Sequence, residues 1–170
     1  MLPNFSYVRA KSLQEALKAS QGRETHILAG GTDLLGCLRD QVFPADRLVS
    51  SSRLTDLKGV SKTSEGGLRI GALTTITEVA ESPVIKELFP GLSRAASEVA
   101  SPALRNRGTI GGNLCQKPRC WYYRGEFHCA RKGGDTCYAL GGENHYHGIL
   151  GSDHICCIVH PSDTAPMLVA

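Results

Sequence analysis

The sequence predicts an α+β protein that folds as two lobes, and three observations indicate this class. The first fifty residues alternate between helix-like and strand-like segments, whereas the later part begins with a strand and continues with consecutive helices. A polar stretch over residues 51–59 separates the two patterns and resembles a connection between lobes. Two glycine pairs, at residues 30–31 and 111–112, each follow a strand-like segment, one in each lobe.

Composition excludes several classes of protein. The chain has 170 residues, of which 41% are hydrophobic and 21% are charged, as in ordinary globular proteins. No apolar run approaches the roughly 20 residues of a membrane span, and a net charge of +3 argues against a dedicated nucleic-acid binder. The N-terminus lacks the basic and apolar regions of a signal peptide. Seven cysteines, an odd number, then favour reduced thiols or metal ligands over a disulfide framework.

The first lobe, residues 1–57, is expected to alternate helix and strand. Ser12–Glu15 has the spacing of a capping box, which opens a helix. Residues 25–29 form a short apolar strand that runs directly into the first glycine pair, and the leucines at residues 34–38 indicate a short helix after it. Residues 44–50 are expected to form another strand.

The first glycine pair has two interpretations. Gly30 and Gly31 lack Cβ atoms and would let the backbone approach an anion closely, and the free NH groups at the following helix start favour negative charge. The same pair also suits a simple tight turn between a strand and a helix. A lone glycine pair is a weak signal, so the pair alone does not decide between them.

The second lobe, residues 58–170, is expected to begin with a strand over residues 68–72. A second capping box, Thr75–Glu78, opens a short helix, and Ser82–Pro83 starts another because proline suits the first turn. Residues 92–100 follow helical spacing, and the Ser101–Pro102 step is expected to end that helix.

The second glycine pair lies in the stretch Thr109–Asn113, again after a β-branched residue. Backbone and hydroxyl donors around it could hold a diphosphate or the polar edge of a flavin. Neither pair fits the G-x-G-x-x-G pattern, which excludes a dinucleotide-binding Rossmann fingerprint. Two glycine pairs that each follow a strand suit a cofactor held between two lobes.

These stretches resemble the FAD-binding subunits and domains of the molybdenum hydroxylases, a family that includes xanthine dehydrogenase, carbon monoxide dehydrogenase and aldehyde oxidoreductases. The resemblance covers essentially the whole chain, and its motifs lie in the family's order. They are the first glycine segment (residues 29–34), the second glycine segment (residues 105–114), and Ser162–Asp163 with Pro166.

The resemblance implies an FAD held in the fold shared with vanillyl-alcohol oxidase and p-cresol methylhydroxylase, with a small α+β lobe and a larger lobe around an antiparallel sheet. It implies that the first lobe wraps the diphosphate through Ile27, Leu28, Ala29, Gly30, Gly31, Thr32, Asp33 and Leu34. The second lobe would meet the diphosphate and the flavin through Gly108, Thr109, Gly111, Gly112 and Asn113. Asp163 would hydrogen-bond the ribityl or ribose hydroxyls.

A cysteine-rich segment, residues 115–158, separates the second glycine segment from Asp163. From Cys120 to Cys156 the cysteines are separated by 8, 7 and 18 residues, without the short C-x2-4-C knuckles of structural zinc sites. The spacing alone therefore leaves open a metal of some kind, zinc in particular, or inert reduced thiols. His128 and His154 lie within two residues of cysteines. Each is therefore either an alternative metal ligand, or a residue that surrounds the ligands or lies on the protein surface.

This segment resembles the one in the flavin subunits of 4-hydroxybenzoyl-CoA reductase and of bacterial three-subunit aldehyde oxidoreductases, where four cysteines hold a 4Fe-4S cluster. The match runs through residues 118–123, 128–129, 131–137 and 142–147. It implies Cys120, Cys129, Cys137 and Cys156 as ligands, with Cys157 as the alternative fourth ligand. Cys115 is then expected to pack near the flavin, and Cys37 in the core.

The resemblance implies an electron-transfer flavoprotein, a component of a molybdopterin-dependent oxidoreductase, which passes electrons from 2Fe-2S centres through FAD to an external acceptor. Its partners would be a large molybdopterin subunit and a small 2Fe-2S subunit, without nucleic acid or membrane. A non-enzymatic module stabilised by zinc or by a cluster is the alternative. Location is expected to be cytoplasmic, or periplasmic by co-export with a partner that carries the signal. The apolar C-terminal run suggests a chain truncated before a further C-terminal domain.

Overall fold

A three-stranded parallel sheet forms the first lobe in the computed structural model, which describes residues 1–150 and 155–170. The strand order is β1-β3-β2, and Val49 of the central strand pairs with Val8 on one side and Ile27 on the other. Helices connect the strands, as parallel pairing requires. The elements are β1 (Ser6–Arg9), α1 (Leu13–Ala19), β2 (Thr25–Leu28), α2 (Leu34–Arg39) and β3 (Arg47–Ser50).

The predicted alternation of helix and strand in this lobe is confirmed, with β1 as an additional strand. Ser12 caps α1, since its hydroxyl accepts the Glu15 N–H at 3.1 Å. The Glu15 carboxylate accepts from the Lys11 N–H at 2.8 Å, one residue before the position that a full capping box uses. Leu48 and Val49 are fully buried and anchor β3 in the core.

The second lobe begins with a small antiparallel hairpin and continues as a group of short helices. The elements are β4 (Val60–Lys62), β5 (Leu68–Ile70), α3 (Ile76–Glu81), α4 (Pro83–Leu88), α5 (Pro90–Glu98), α6 (Pro102–Arg105) and α7 (Ile110–Leu114). The capping box predicted at Thr75 is complete, and Ser82 caps α4 as expected. Ile76, Val79, Ile85, Ala96 and Ile110 form the core between these helices.

Two predictions for this lobe need correction. The helix over residues 92–100 ends earlier, at Glu98, because Val99 has an extended backbone with a ψ of 120°. Pro102 begins α6, capped by Ser101, and so marks a helix start and not the end of α5. The antiparallel sheet has two strands in the described residues, and the larger antiparallel lobe that the resemblance implies stays a prediction.

The cysteine-rich segment packs onto the first lobe. It contains α8 (Trp121–Arg124) and two 3-10 turns (Ala130–Lys132 and Tyr138–Leu140), and α9 (Ala165–Val169) follows it. Cys37 and Val42 of the first lobe share one buried cluster with Cys120, Tyr123 and Cys129. None of the helices in residues 1–150 and 155–170 is long and apolar enough to cross a membrane.

The proposed division into lobes 1–57 and 58–170 stays a prediction. A 3-10 turn, Thr55–Leu57, lies at the predicted boundary and leads into β4. The Leu73 N–H donates to the Leu57 carbonyl at 2.8 Å, so the two sides of this boundary are tied together.

Candidate cofactor site

Gly30 contacts the second glycine segment. A Cβ atom at Gly30 would overlap the backbone carbonyl of Arg107, which belongs to that segment. This contact between the two segments therefore requires a residue without a side chain at position 30. It adds a third reason for the glycine to the two sequence interpretations, the approach of an anion and a tight turn.

Gly31 is required for a different reason. Its φ of +79° lies in the left-handed region, which side chains with a Cβ rarely adopt. A Cβ there would also meet the side chains of Leu35 and Leu28, at 3.0 and 3.2 Å. Gly31 thus sets the tight turn from β2 into α2, in agreement with the predicted strand, glycine pair and helix.

The second glycine pair does not follow a strand, contrary to the prediction. Gly111 and Gly112 lie inside α7, and Thr109 precedes them as the cap, with its hydroxyl accepting the Gly112 N–H at 3.1 Å. Thr109 pairs with Thr75 in an isolated antiparallel bridge. This single pair, and not a strand, precedes α7. A threonine at this position is compatible both with the end of a strand and with a helix cap. The hydrogen bond that its hydroxyl accepts from the Gly112 N–H makes Thr109 the cap of α7.

Two adjoining cavities lie between the glycine segments. One has a volume of about 360 Å³ and the other about 370 Å³, and both are lined by Thr32, Asp33, Thr109 and Gly112. The first is further lined by Ile27, Ala29, Gly30, Gly31 and Leu34, and the second by Gly108, Asn113 and Asp163. The predicted FAD residues therefore meet around one space, although they are separated by more than seventy positions in the chain.

Two of the predicted FAD residues, Leu28 and Gly111, do not line either of these two cavities. Leu28 is in β2, and its carbonyl accepts the Ser51 N–H at 3.0 Å. Gly111 packs against Ala72, whose carbonyl accepts the Gly111 N–H at 2.9 Å. A Cβ on Gly111 would come within 2.8 Å of that carbonyl oxygen, so this glycine serves the packing of α7 on the second lobe.

Asn113 is held by a buried pair of hydroxyls. Its side-chain oxygen accepts from Ser162 at 2.5 Å and from Thr164 at 2.7 Å, and both hydroxyl residues are buried. Asp163 lies between them in sequence, is exposed and lines the second cavity. This turn therefore fixes Asn113 from behind and presents Asp163 outward, as the predicted role of Asp163 requires.

Asp33 is engaged by the cysteine-rich segment. One carboxylate oxygen accepts from Arg124 Nη2 at 2.8 Å, and the other accepts from the Lys117 N–H at 2.9 Å. Asp33 is the first residue before α2 but makes no capping hydrogen bond within the described residues. Its charge is thus used for a long-range contact and not to cap its own helix.

The seven cysteines are all free thiols, and they lie in different surroundings. Cys120 and Cys129 are buried in the cluster that also contains Cys37, whereas Cys137, Cys156 and Cys157 are half-buried. The core position predicted for Cys37 is confirmed, and burial, followed by the nearby Asp33 carboxylate, raises the pKa of its thiol. Cys115 is exposed and lines the first cavity.

Two of the cysteines form a close pair. The sulfur atoms of Cys137 and Cys157 are 4.0 Å apart. Burial opposes ionisation of Cys137, but hydrogen bonds from the backbone of Cys157, Ala139 and Leu140 outweigh it and lower the pKa of the thiol. The neighbouring Cys156 thiol raises the pKa of the Arg131 guanidinium. The structure brings the Cys157 sulfur close to Cys137, and Cys156 as the fourth ligand stays a prediction.

A histidine that the sequence analysis did not single out contacts another predicted ligand. His147 Nε2 lies 3.2 Å from Cys120 Sγ. The other ring nitrogen of His147 is buried and finds no hydrogen-bond partner among the described residues. His128 is exposed, which agrees with a surface position, and His154 lies outside the described residues.

The cysteine-rich segment supplies suitable donors for a soft metal centre without gathering them at one point. No group of three or more His, Cys, Asp and Glu side chains placed to hold a metal ion occurs in residues 1–150 and 155–170. The donor chemistry nevertheless fits, since the segment combines free thiols, the close Cys137–Cys157 pair and the His147 ring beside Cys120.

Residues 3–170 match the family model described as the FAD binding domain in molybdopterin dehydrogenase. The chain belongs to this family. The predicted family resemblance is thereby confirmed, and so is a mixed α and β domain that binds FAD.

Two relatives illustrate the family. The chain is 35% identical to the aldehyde oxidoreductase FAD-binding subunit PaoB of Escherichia coli over 164 residues, which are 95% of this chain and 51% of that protein. It is 42% identical to the glyceraldehyde dehydrogenase medium chain of Sulfolobus acidocaldarius over 113 residues, 66% of this chain and 40% of that protein. The chain spans about half the length of the first of these relatives. The alignment with PaoB covers 95% of this chain, so it spans most of the cysteine-rich segment.

Solved structures of the family agree with the fold. Quinoline 2-oxidoreductase from Pseudomonas putida 86 superposes with a TM-score of 0.63 at 33% identity, over 67% of this chain and 40% of that chain. Carbon monoxide dehydrogenase from Hydrogenophaga pseudoflava superposes with a TM-score of 0.62 at 34% identity, over the same shares.

The observed cavities fit the cofactor that the family binds. The tight turn at Gly31, the hydroxyl of Thr109 and the exposed Asp163 carboxylate provide what a diphosphate and a sugar require: close backbone approach, donors and an acceptor. The family sequence motifs identified this space. They did not identify Arg124 and Thr164, which reach Asp33 and Asn113 from 91 and 51 positions away.

Proposed function

We propose that the chain is the FAD-binding, electron-transfer part of a molybdenum-containing hydroxylase that oxidises an aldehyde or an aromatic substrate. The observation that carries the proposal is the meeting of both glycine segments around two adjoining cavities in a member of an FAD-binding family. FAD bound there supplies a redox group that takes electrons from 2Fe-2S centres and passes them to an external acceptor. We also propose that the lobes are arranged as in vanillyl-alcohol oxidase.

The residues of the chain have separate roles in holding the cofactor. The turn at Gly31 and the Thr32 backbone shape the wall of the first cavity, and Thr109 fixes the start of α7 opposite to it. Asn113, locked by Ser162 and Thr164, fixes the second wall. Asp163 is placed to accept hydrogen bonds from sugar hydroxyls, because it is exposed at the second cavity.

The partners follow from the names of the relatives, which are an FAD-binding subunit and a medium chain. We propose a large molybdopterin subunit and a small 2Fe-2S subunit as partners, in a heterotrimer or its dimer. Cytoplasmic location, or periplasmic location by co-export with a partner that carries the signal, stays a prediction. The zinc-stabilised, non-enzymatic module is the weaker alternative, because the family match spans residues 3–170.

A 4Fe-4S cluster in the cysteine-rich segment is a second part of the proposal. Cys120, Cys129 and Cys137 supply three thiolates, and the fourth comes from Cys156 or Cys157. The 4.0 Å distance between the sulfurs of Cys137 and Cys157 supports Cys157 as the fourth ligand. The resemblance of this segment to the cluster-bearing flavin subunits is the basis for proposing the cluster itself.

The proposed role is tested by the assembled complex. Removal of FAD from the purified complex should abolish reduction of the external acceptor, and added FAD should restore it. The chain alone should not oxidise an aldehyde or aromatic substrate, because the proposal assigns substrate oxidation to the molybdopterin subunit. Substrate oxidation by the isolated chain would contradict this role, as would acceptor reduction that survives complete removal of FAD.

A further inference from the structure

Arg124 connects the cysteine-rich segment to the first glycine segment. Its Nη2 donates to Asp33 Oδ1 at 2.8 Å and to the Lys117 carbonyl at 2.9 Å, and its Nε donates to the Pro118 carbonyl at 2.8 Å. The side chains of Arg124 and Asp33 are only 23% and 17% exposed. The pair is therefore partly shielded from solvent and is held by several hydrogen bonds, unlike a typical surface ion pair.

Asp33 links Arg124 to the candidate flavin pocket. It stands two residues after Gly31, whose left-handed φ makes the turn, and it lines both cavities. Its second carboxylate oxygen accepts the Lys117 N–H at 2.9 Å, so both oxygens are held by residues 117–124. The position of the turn is thus fixed from outside its own lobe.

We propose that Arg124 is a positioning residue for the flavin pocket. Through Asp33 it holds the turn at Gly31 in the orientation that faces Thr109 and Gly112, without touching the cofactor itself. FAD affinity and the fold of the cysteine-rich segment are therefore coupled, since each depends on the Arg124–Asp33 contact. This inference rests on the proposed flavin-binding function.

The chain offers a control arginine away from both cavities. Arg94 Nη2 lies 2.7 Å from Glu98 Oε1 in α5, and its side chain is 79% exposed. An exposed pair of this kind contributes little, and Arg94 lines neither cavity, so loss of the Arg94 charge should change FAD affinity by less than about twofold.

The test uses the complete complex, freed of FAD and titrated with FAD while flavin fluorescence is followed. Arg124→Gln should raise the FAD dissociation constant on the order of tenfold, because a shielded, charge-assisted hydrogen bond is lost. Arg124→Lys keeps the charge but not the planar fork, so it should also weaken FAD binding while preserving the fold. Arg94→Gln should bind FAD as the wild type does.

A double-mutant cycle separates positioning from general destabilisation. Asp33→Asn and Arg124→Gln should each weaken FAD binding, and the double variant should be no weaker than the weaker-binding single variant. Iron content and the thermal midpoint are measured in parallel. Full additivity of the two losses in FAD affinity would overturn the proposal, as would a fall in midpoint or iron content with an unchanged FAD dissociation constant.

The outcomes also distinguish this inference from the function on which it rests. If Arg124→Gln does not fold, Arg124→Lys decides, and wild-type affinity in Arg124→Lys would then overturn the proposal. If the wild type binds FAD and both Arg124 variants bind it equally well, the positioning role alone is overturned. If the wild-type complex binds no FAD, the proposed function is overturned together with it.

Discussion

Single positions decide whether the two lobes can meet around the cofactor. At Gly30 the neighbouring backbone of Arg107 leaves no room for even one methyl group. At Gly36, in α2 only six residues later, a Cβ would meet nothing within 4 Å. These two glycines therefore provide a direct comparison of a required and a replaceable glycine.

Gly30→Ala should separate the two glycine segments and lose FAD. Overpacking at such a contact typically costs about 1–3 kcal/mol of stability. Gly36→Ala, the control, should keep FAD and be neutral or more stable by up to about 1 kcal/mol, because alanine favours a helix. FAD content and thermal unfolding measure both effects. Full FAD retention in Gly30→Ala would mean that the segments do not approach each other as described.

The fourth cluster ligand is also decided by single residues. Cys157→Ser should lower the iron content below about four per chain, since serine replaces a soft thiolate by a harder oxygen. Cys156→Ser should keep the iron, because the Cys157 sulfur, 4.0 Å from Cys137, is the one placed to share a centre with the Cys137 thiolate. Iron analysis of anaerobically purified protein is the measurement. The reverse pattern would restore the sequence-based choice of Cys156, and equal iron in all cysteine variants would remove the cluster.

Among the elements, α3 begins with the capping box at Thr75. The Thr75 N–H and hydroxyl donate to the Glu78 carboxylate at 2.6 and 2.8 Å. The backbone hydrogen bond from Thr75 holds the pKa of Glu78 below its ordinary value, although burial opposes this shift. A carboxyl group with a lowered folded-state pKa stabilises the protein above its unfolded pKa, and this contribution is lost as pH falls through the folded pKa.

Glu78→Gln should therefore lower the free energy of unfolding at pH 7 by less than about 1 kcal/mol, a small effect because Glu78 is exposed. The difference from the wild type should shrink as pH falls through the folded-state pKa of Glu78, which lies below its ordinary value, because the wild-type carboxyl then becomes protonated. Denaturant unfolding at pH 7 and in acid measures it. Glu81→Gln, at the other end of the same helix, is the control and should show no loss. A difference that stays constant or grows in acid would contradict the role of the charge.

Local signals predicted the elements that depend on local chemistry. The helix starts after Ser12, Thr75 and Ser82 were predictable because a hydroxyl cap satisfies NH groups within its own turn. The placement of Gly111 and Gly112 after a strand was wrong, since the Thr109–Ile110 step before them suits both a strand end and a helix cap. The early end of α5 depends on the extended backbone of Val99 and the positive φ of Ala100 after it, which no local pattern indicates.

The candidate site was predictable where it consists of family motifs. The two glycine segments and Asp163 carry the resemblance, and the structure brings them to adjoining cavities. The supporting contacts were not predictable. Arg124 and Thr164 act across 91 and 51 positions of sequence, and a single sequence does not show which distant residues meet.

In the molecule as a whole, the cysteine-rich segment is packed against the first lobe. It shares a buried cluster with that lobe through Cys37, Cys120 and Cys129, and its Arg124 donates a hydrogen bond to Asp33 at the candidate flavin pocket. The two proposed cofactor regions are thus parts of one packed structure.

The absorption spectrum of the protein, purified anaerobically from cells that also produce its partner subunits, tests the central claim most directly. The account predicts flavin absorption bands with about one FAD released per chain, together with a broad iron–sulfur shoulder. A colourless protein that contains zinc and no FAD would contradict it.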